Sequence, residues 1–184
     1  MPKRNSEKQF VFPDFPDFTP NLSPREVFQL GSFGGTYWRP IYSITNKKNY
    51  ENVHLQYPKS WWKDIPSENL ISPWDKYQKK INYYQVKVGQ TLEQWEDSGW
   101  ITTEHPYGWM HWYCDFFSGK RSSDDSHQIE RWKRLAGPRG RFRNALINLI
   151  KKKNTTYDDF TVSPGRRQTL QHWGYQLTEN DFNS

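Results

Sequence analysis

Arg141, Asn144, Asn148 and Lys151 are spaced three, four and three residues apart, so a helix would carry all four on one face. Their types suit nucleic acid: Arg meets guanine, Asn meets adenine and Lys meets the backbone. Arg139 and Arg143 flank this set, and a second pair, Arg166 and Arg167, follows Ser163-Pro164, which reads as another helix start. Helix N-termini offer unpaired N–H groups and a positive dipole end to anions, and the guanidinium fork grips phosphate through two parallel bonds. Between Lys120 and Lys153, eleven Lys or Arg face three acids, so this stretch carries +8 of formal charge and leaves −2 for the rest of the chain. Charge gathered in this way is the footprint of a phosphate-backbone binder. A solvated basic face, or one meeting an acidic protein or anionic lipid, would have the same composition.

A second constellation lies in Phe33-Gly-Gly-Thr-Tyr-Trp-Arg39. Adjacent glycines permit positive φ and close backbone approach. Gly34, Gly35, Tyr37 and Arg39, joined by Gln168, therefore form a candidate pocket for a base or similar ligand. A purely structural turn competes with this reading, because the segment matches neither a dinucleotide fingerprint nor a phosphate loop. His111 and Cys114 stand three apart in a helical pattern, and His127 or Asp115 would be needed to complete a metal site. A cysteine in an aromatic stripe reads more simply as core, and Cys114 with His111 would be nucleophile and base only if both faced a cleft. Asp124 and Asp125 suit the positive end of a helix without any catalytic role. No metal and no cofactor is expected.

The elements that must position these groups are clearest in the C-terminal half. Trp109, Trp112, Tyr113 and Phe116 mark one face of a helix closed by Gly119. Ser122 or Ser123 should cap a helix that turns Ile129, Trp132 and Leu135 inward and stops at Gly137. After Gly137-Pro-Arg-Gly140, a helix over 141–153 buries Phe142, Leu146, Leu149 and Ile150. This pair has the outline of a helix-turn-helix. A last helix begins at Ser163-Pro164 and stops at Gly174. Earlier in the chain, Ser23-Pro24-Arg25-Glu26 and Thr91 with Gln94 are capping boxes for two short helices. Short strands are expected within 36–90, at Val53–Tyr57 and Tyr84–Val88 among other places. Residues 1–22 hold four prolines and four phenylalanines, and read as an extended tail lying across the body or a partner protein. Residues 23–184 form one globular domain. The fold class is α+β, with a mostly helical C-terminal half.

Ten Trp, eleven Tyr and eleven Phe in 184 residues argue against disorder despite a mean hydropathy of −1.06. Each ring buries ~150–250 Å², so an aromatic interior can replace many aliphatic side chains. No apolar run approaches a membrane span of ~20 residues, and the N-terminus has no apolar signal core. With a single cysteine, this suggests a cytoplasmic or nuclear protein without membrane contact.

Four runs together resemble a family of small uncharacterised proteins: Phe33-Gly-Gly-Thr-Tyr-Trp-Arg-Pro-Ile, Gly108-Trp-Met-His-Trp-Tyr-Cys, Gln128-Ile-Glu-Arg-Trp and Arg167-Gln-Thr-Leu-Gln-His-Trp. The resemblance spans roughly residues 20–177. It implies a single-domain unit and assigns no activity. The chain departs from the family pattern at Asp115 and Lys120, where arginine would be expected at both. The leading functional expectation is nucleic-acid binding by Arg139, Arg141, Arg143, Asn144, Asn148, Lys151, Arg166 and Arg167. The alternatives are a nucleic-acid- or nucleotide-processing enzyme built around the Gly34–Gly35 pocket, and a small structural subunit of a larger assembly.

Overall fold

The computed structural model describes residues 2–184 and is mostly helical. Two small antiparallel hairpins supply the strands: β1 (Lys3–Arg4) pairs with β2 (Phe10–Val11), and β3 (Ile41–Ser43) with β4 (Lys48–Tyr50). Val53–Gln56 is a 3-10 turn and not a strand, and residues 84–88 are irregular. Side chains explain the second difference. The amide of Asn82 donates to the Val86 carbonyl at 2.7 Å and to the Tyr77 hydroxyl at 2.7 Å, while the Gln168 amide oxygen takes the Tyr84 N–H at 2.9 Å. Backbone groups that a strand partner would use are thus satisfied locally.

Helices form at each expected place, although the one expected to be capped by Ser122 or Ser123 starts after Asp124 without a side-chain cap, and a short helix at Glu179–Asn183 was not foreseen. The helices are α1 (Pro24–Leu30), α2 (Lys59–Trp62), α3 (Leu92–Asp97), α4 (Trp109–Phe117), α5 (Asp125–Leu135), α6 (Arg141–Lys152), α7 (Pro164–His172) and α8 (Glu179–Asn183). Both capping boxes form, at Ser23 with Glu26 and at Thr91 with Gln94. The central element is α4, whose rings are buried on nearly every side. Trp132 of α5 and Phe18 of the N-terminal segment pack there, 5.1 Å apart and edge to face. Asp125 does more than face the helix dipole. It is buried, accepts the Trp112 indole N–H at 2.8 Å, and takes the Ser122 N–H and hydroxyl at 3.0 Å each. Asp115 and Lys120 form an ion pair of 2.9 Å.

Residues 2–22 are part of the body. Phe10, Phe12 and Phe18 are buried with the α4 rings: Phe12 lies 4.9 Å from Phe116, and Phe10 meets Phe117 edge-on at 4.8 Å. Asn21 then clips this segment to the far end of the chain. Its amide donates to the Gln176 carbonyl at 2.7 Å and its oxygen accepts the Gln176 N–H at 2.8 Å, beside two backbone bonds from Asn21 and Leu22 to the Gly174 carbonyl. Of the two places expected for this segment, the body or a partner, it lies across the body, because its phenylalanines find apolar partners there. Among the described residues, no helix is long and apolar enough to cross a membrane.

Candidate functional site: an arginine-rimmed aromatic cleft

The cationic stretch does not form one platform. Arg143 is only 6% exposed and pairs with Asp181 of α8 at 2.5 Å, its guanidinium 4.9 Å from the Tyr175 ring centroid. Arg167 is 3% exposed and donates to the carbonyls of Val162, Tyr157 and Asp159 at 2.8–3.0 Å. Both arginines tie the C-terminal segments together, and neither can meet an external phosphate. Arg121 is spent on Asp14, and Lys133 on Glu130 with Asp17 beyond it. Asn144 is exposed, but its amide donates back to the carbonyls of Pro138 and Gly140, so the donor that would read adenine is occupied. Arg139, Asn148 and Lys151 remain on the surface, as does Arg166, which bonds the Ser163 hydroxyl.

Three arginines of the stretch converge instead on a cleft of about 580 Å³. Arg131 and Arg134 come from the C-terminal half of α5 and Arg141 from the first residue of α6. The five-residue turn between these helices brings them to one rim. Arg39 joins them from the Phe33–Arg39 turn. The walls are rings, chiefly Trp74, Tyr77, Trp95, Trp100, Phe142 and Trp173. Arg39 stands over Trp74 at 5.3 Å, and Arg131 lies between Trp100 and Trp173 at 5.7 and 5.3 Å. Lys87 adds a charge at the Trp74–Tyr77 side, 5.1 and 5.0 Å from those rings.

Among the described residues, no carboxylate lines this space. Among the described residues, none of the four arginines forms an ion pair. Arg39 donates to the Thr36 carbonyl at 3.0 Å and Arg131 to the Gln128 side chain at 2.9 Å, both neutral acceptors. Burial pulls both guanidinium pKa values below their ordinary level, with weak opposition from Glu93 and Asp124 respectively. Partly desolvated positive charge without a counter-ion is costly to hold, and an anion entering the cleft relieves that cost. The low-dielectric ring walls strengthen the attraction.

The Gly34–Gly35 turn does not itself open onto this space. It is packed shut: a Cβ on Gly34 (φ +57°) would sit 2.5 Å from the Tyr77 ring, and one on Gly35 would sit 2.8 Å from the Glu68 carbonyl. Its close approach serves loop packing, with the buried Gly34 N–H donated to Asn82 at 2.7 Å. Tyr37 and Arg39 do line the cleft, whereas Gln168 lies fully buried behind it. The rings of the 72–101 segment were not legible as cleft-lining, because neither the capping box at Thr91 nor the strand pattern at Tyr84–Val88 tells which surface a ring faces. His172 was missed too, although its i, i+4 spacing from Gln168 on α7 was available as a signal.

The His111–Cys114 pair lies away from the cleft's rim and deep in the core. Cys114 is fully buried and burial raises its thiol pKa, so it is not a nucleophile. Burial, assisted by His105, pushes His111 down to about 3. Among the described residues, no cluster of three or more metal-ligating groups occurs. Beside His111, burial works to raise the Asp115 carboxyl, but bonds from His105, Lys120 and Tyr57 outweigh it and hold the group well below the usual range.

These shifts predict acid sensitivity. His111 and His172 both stay neutral to about pH 3 when folded and should titrate near 6.5 when unfolded. The unfolded chain therefore binds more protons below pH 6.5, and stability falls as pH falls through that window. Each ring should cost about 2 kcal/mol at pH 5, which for a domain of this size lowers Tm by roughly 10 °C in total. Asp115 adds loss of the same sign at lower pH. Thermal melts from pH 8 to 4.5 check this: a plateau above pH 7 with decline below it is expected, and a Tm unchanged down to pH 5 would contradict it.

Compared with protein-family models, curated proteins and solved structures, the chain matches none of them.

Proposed function

We propose that this protein binds nucleic acid by taking an unpaired nucleotide into the arginine-rimmed cleft. The observation that carries the reading is the juxtaposition of aromatic walls with four arginines lacking carboxylate partners, in a cavity of about 580 Å³. That size lies within the usual ~300–1,000 Å³ of small-molecule sites. Rings stack on bases of any identity at ~1–3 kcal/mol per base, while guanidinium groups meet the sugar-phosphate chain. Base faces inside a duplex are already stacked on one another, so ring walls are useful only for a base that has left its helix. Arg139, exposed two residues before Arg141, adds positive charge beside the rim along which a strand could run.

The catalytic alternative finds less support. The lining offers no carboxylate and no thiol, and the imidazole of His172 is held neutral by burial. Duplex reading by α6 is disfavoured by the internally bonded Asn144.

The test is fluorescence anisotropy with a labelled ten-nucleotide single strand and the matching duplex, across a salt series. Single-strand binding at least tenfold tighter than duplex binding is expected. About three or four phosphate contacts should give a log–log salt slope of roughly −2 to −3. Equal affinity for both forms, or no binding at low salt, would overturn the proposal.

A further inference from the structure

One lining residue is arranged differently from the others. His172 closes α7 and is only 8% exposed, yet it borders the cleft. Its ring is stacked on Phe33 with centroids 3.9 Å apart and planes 17° apart. Two donors converge on Nε2: the Phe33 backbone N–H at 3.1 Å and the Gln168 amide at 3.1 Å. The Gln168 orientation is fixed, because its oxygen accepts the Tyr84 N–H and so its NH2 must face the histidine. Nε2 is therefore an acceptor, and a neutral imidazole must carry its hydrogen on Nδ1. Burial keeps the ring neutral, with a pKa of about 3.

That Nδ1–H has no protein partner among the described residues. It is also absent from the unpartnered side-chain atoms sealed away from solvent, which include Nδ1 of His54, His105 and His111. Nearby lining hydroxyls are already committed as donors: Thr36 donates to the Phe33 carbonyl, Thr169 to the Gly165 carbonyl and Tyr37 to the Tyr107 carbonyl. A neutral donor in a ring-walled space, locked in one tautomer by two backbone-anchored contacts, is pre-organised for an acceptor that the protein does not supply.

We infer that His172 reads the base of the bound nucleotide, donating its Nδ1–H to a ring carbonyl oxygen while the arginines hold the phosphate. This rests on the cleft being the nucleotide site proposed above, and it assigns His172 a positioning role with no proton transfer.

Two probes separate the inference from that reading. Uridine 5′-monophosphate carries a phosphate, a ring and ring carbonyls, whereas phenyl phosphate carries only the first two. The wild-type chain should bind the nucleotide about tenfold more tightly, one neutral hydrogen bond's worth. His172→Phe keeps a ring against Phe33 and should remove that advantage while leaving phenyl phosphate affinity unchanged. Because the variant also strands two donors at Nε2 and so could lose stability, a measurement on the wild-type protein stands beside it. In long-range ¹H–¹⁵N spectra the His172 ring should show hydrogen on Nδ1, and this nitrogen should shift with the nucleotide and hardly move with phenyl phosphate. Equal effects of the two probes on Nδ1, or equal losses for both in His172→Phe, overturn the inference and leave the cleft reading standing. Failure of both probes to bind overturns the two together.

Discussion

Replacing Arg131 and Arg141 together by glutamine should lower affinity for a single-stranded oligonucleotide about a hundredfold and make its salt dependence shallower. Each charge-assisted contact is worth roughly 1.5–3 kcal/mol, about ten- to hundredfold, and losses at adjacent sites overlap. Two phosphate contacts removed should reduce the single-strand salt slope by about 1.4. Glutamine gives up the guanidinium contacts over Trp100, Trp173 and Phe142, but at Arg131 it also removes a partly desolvated charge, and neither arginine has an acidic partner to be left behind. The double variant should therefore melt like the parent. Arg166→Gln is the comparison: it removes one charge, against two in the double variant, from a position outside the cleft and should cost less than threefold. If Arg166→Gln weakens binding as much as the cleft variants do, diffuse surface charge is responsible and the cleft is not.

Deleting residues 2–22 should abolish the cooperative thermal transition. The sequence leaves two places for this segment, the body or a partner, and docking on a partner would show as altered oligomerisation. Its position dictates another result. Phe18 is fully buried among Trp112, Tyr113, Phe116 and Trp132, and the deletion also strips Phe10 and Phe12 from the α4 face. Phe18→Ala alone should cost ~3–5 kcal/mol, a large part of the ~5–15 kcal/mol that domains possess. Losing the whole segment exposes the apolar face of the central helix. Loss of near-ultraviolet circular dichroism and binding of a hydrophobic dye would mark the collapse, whereas a truncated chain with the parent's melt would contradict the packing described above.

The helical half was legible because local signals there agree with tertiary demand. The i, i+3, i+4, i+7 rings of α4, the Gly137-Pro-Arg-Gly140 turn and two capping boxes each point to one structure. The 44–90 segment was not legible, since its 3-10 turns and irregular stretches are held by long-range side-chain bonds such as those of Asn82 and Gln168. Charge was legible as an amount and not as a direction. Arg143 and Arg167 look like Arg141 in the sequence, and only the placement of Asp181 and of three carbonyls turns them inward. Tyr37 and Arg39 were singled out for a pocket and Arg141 for a separate phosphate-binding face; that all three line one cleft depends on a turn and two helices meeting from more than 90 residues apart. An aromatic pocket could be expected but its rings could not be named, because a tryptophan lining a cleft and one facing the core are the same letter.

The clip between Asn21 and Gln176 sets a condition on biogenesis. At a ribosomal rate of about 5–20 residues per second, some 8–30 seconds separate synthesis of these two residues. Once they leave the ribosome, Phe10, Phe12, Phe15 and Phe18 wait in water for the surfaces that receive them. The nascent chain therefore exposes apolar rings for seconds, and native closure must await the synthesis of Gln176.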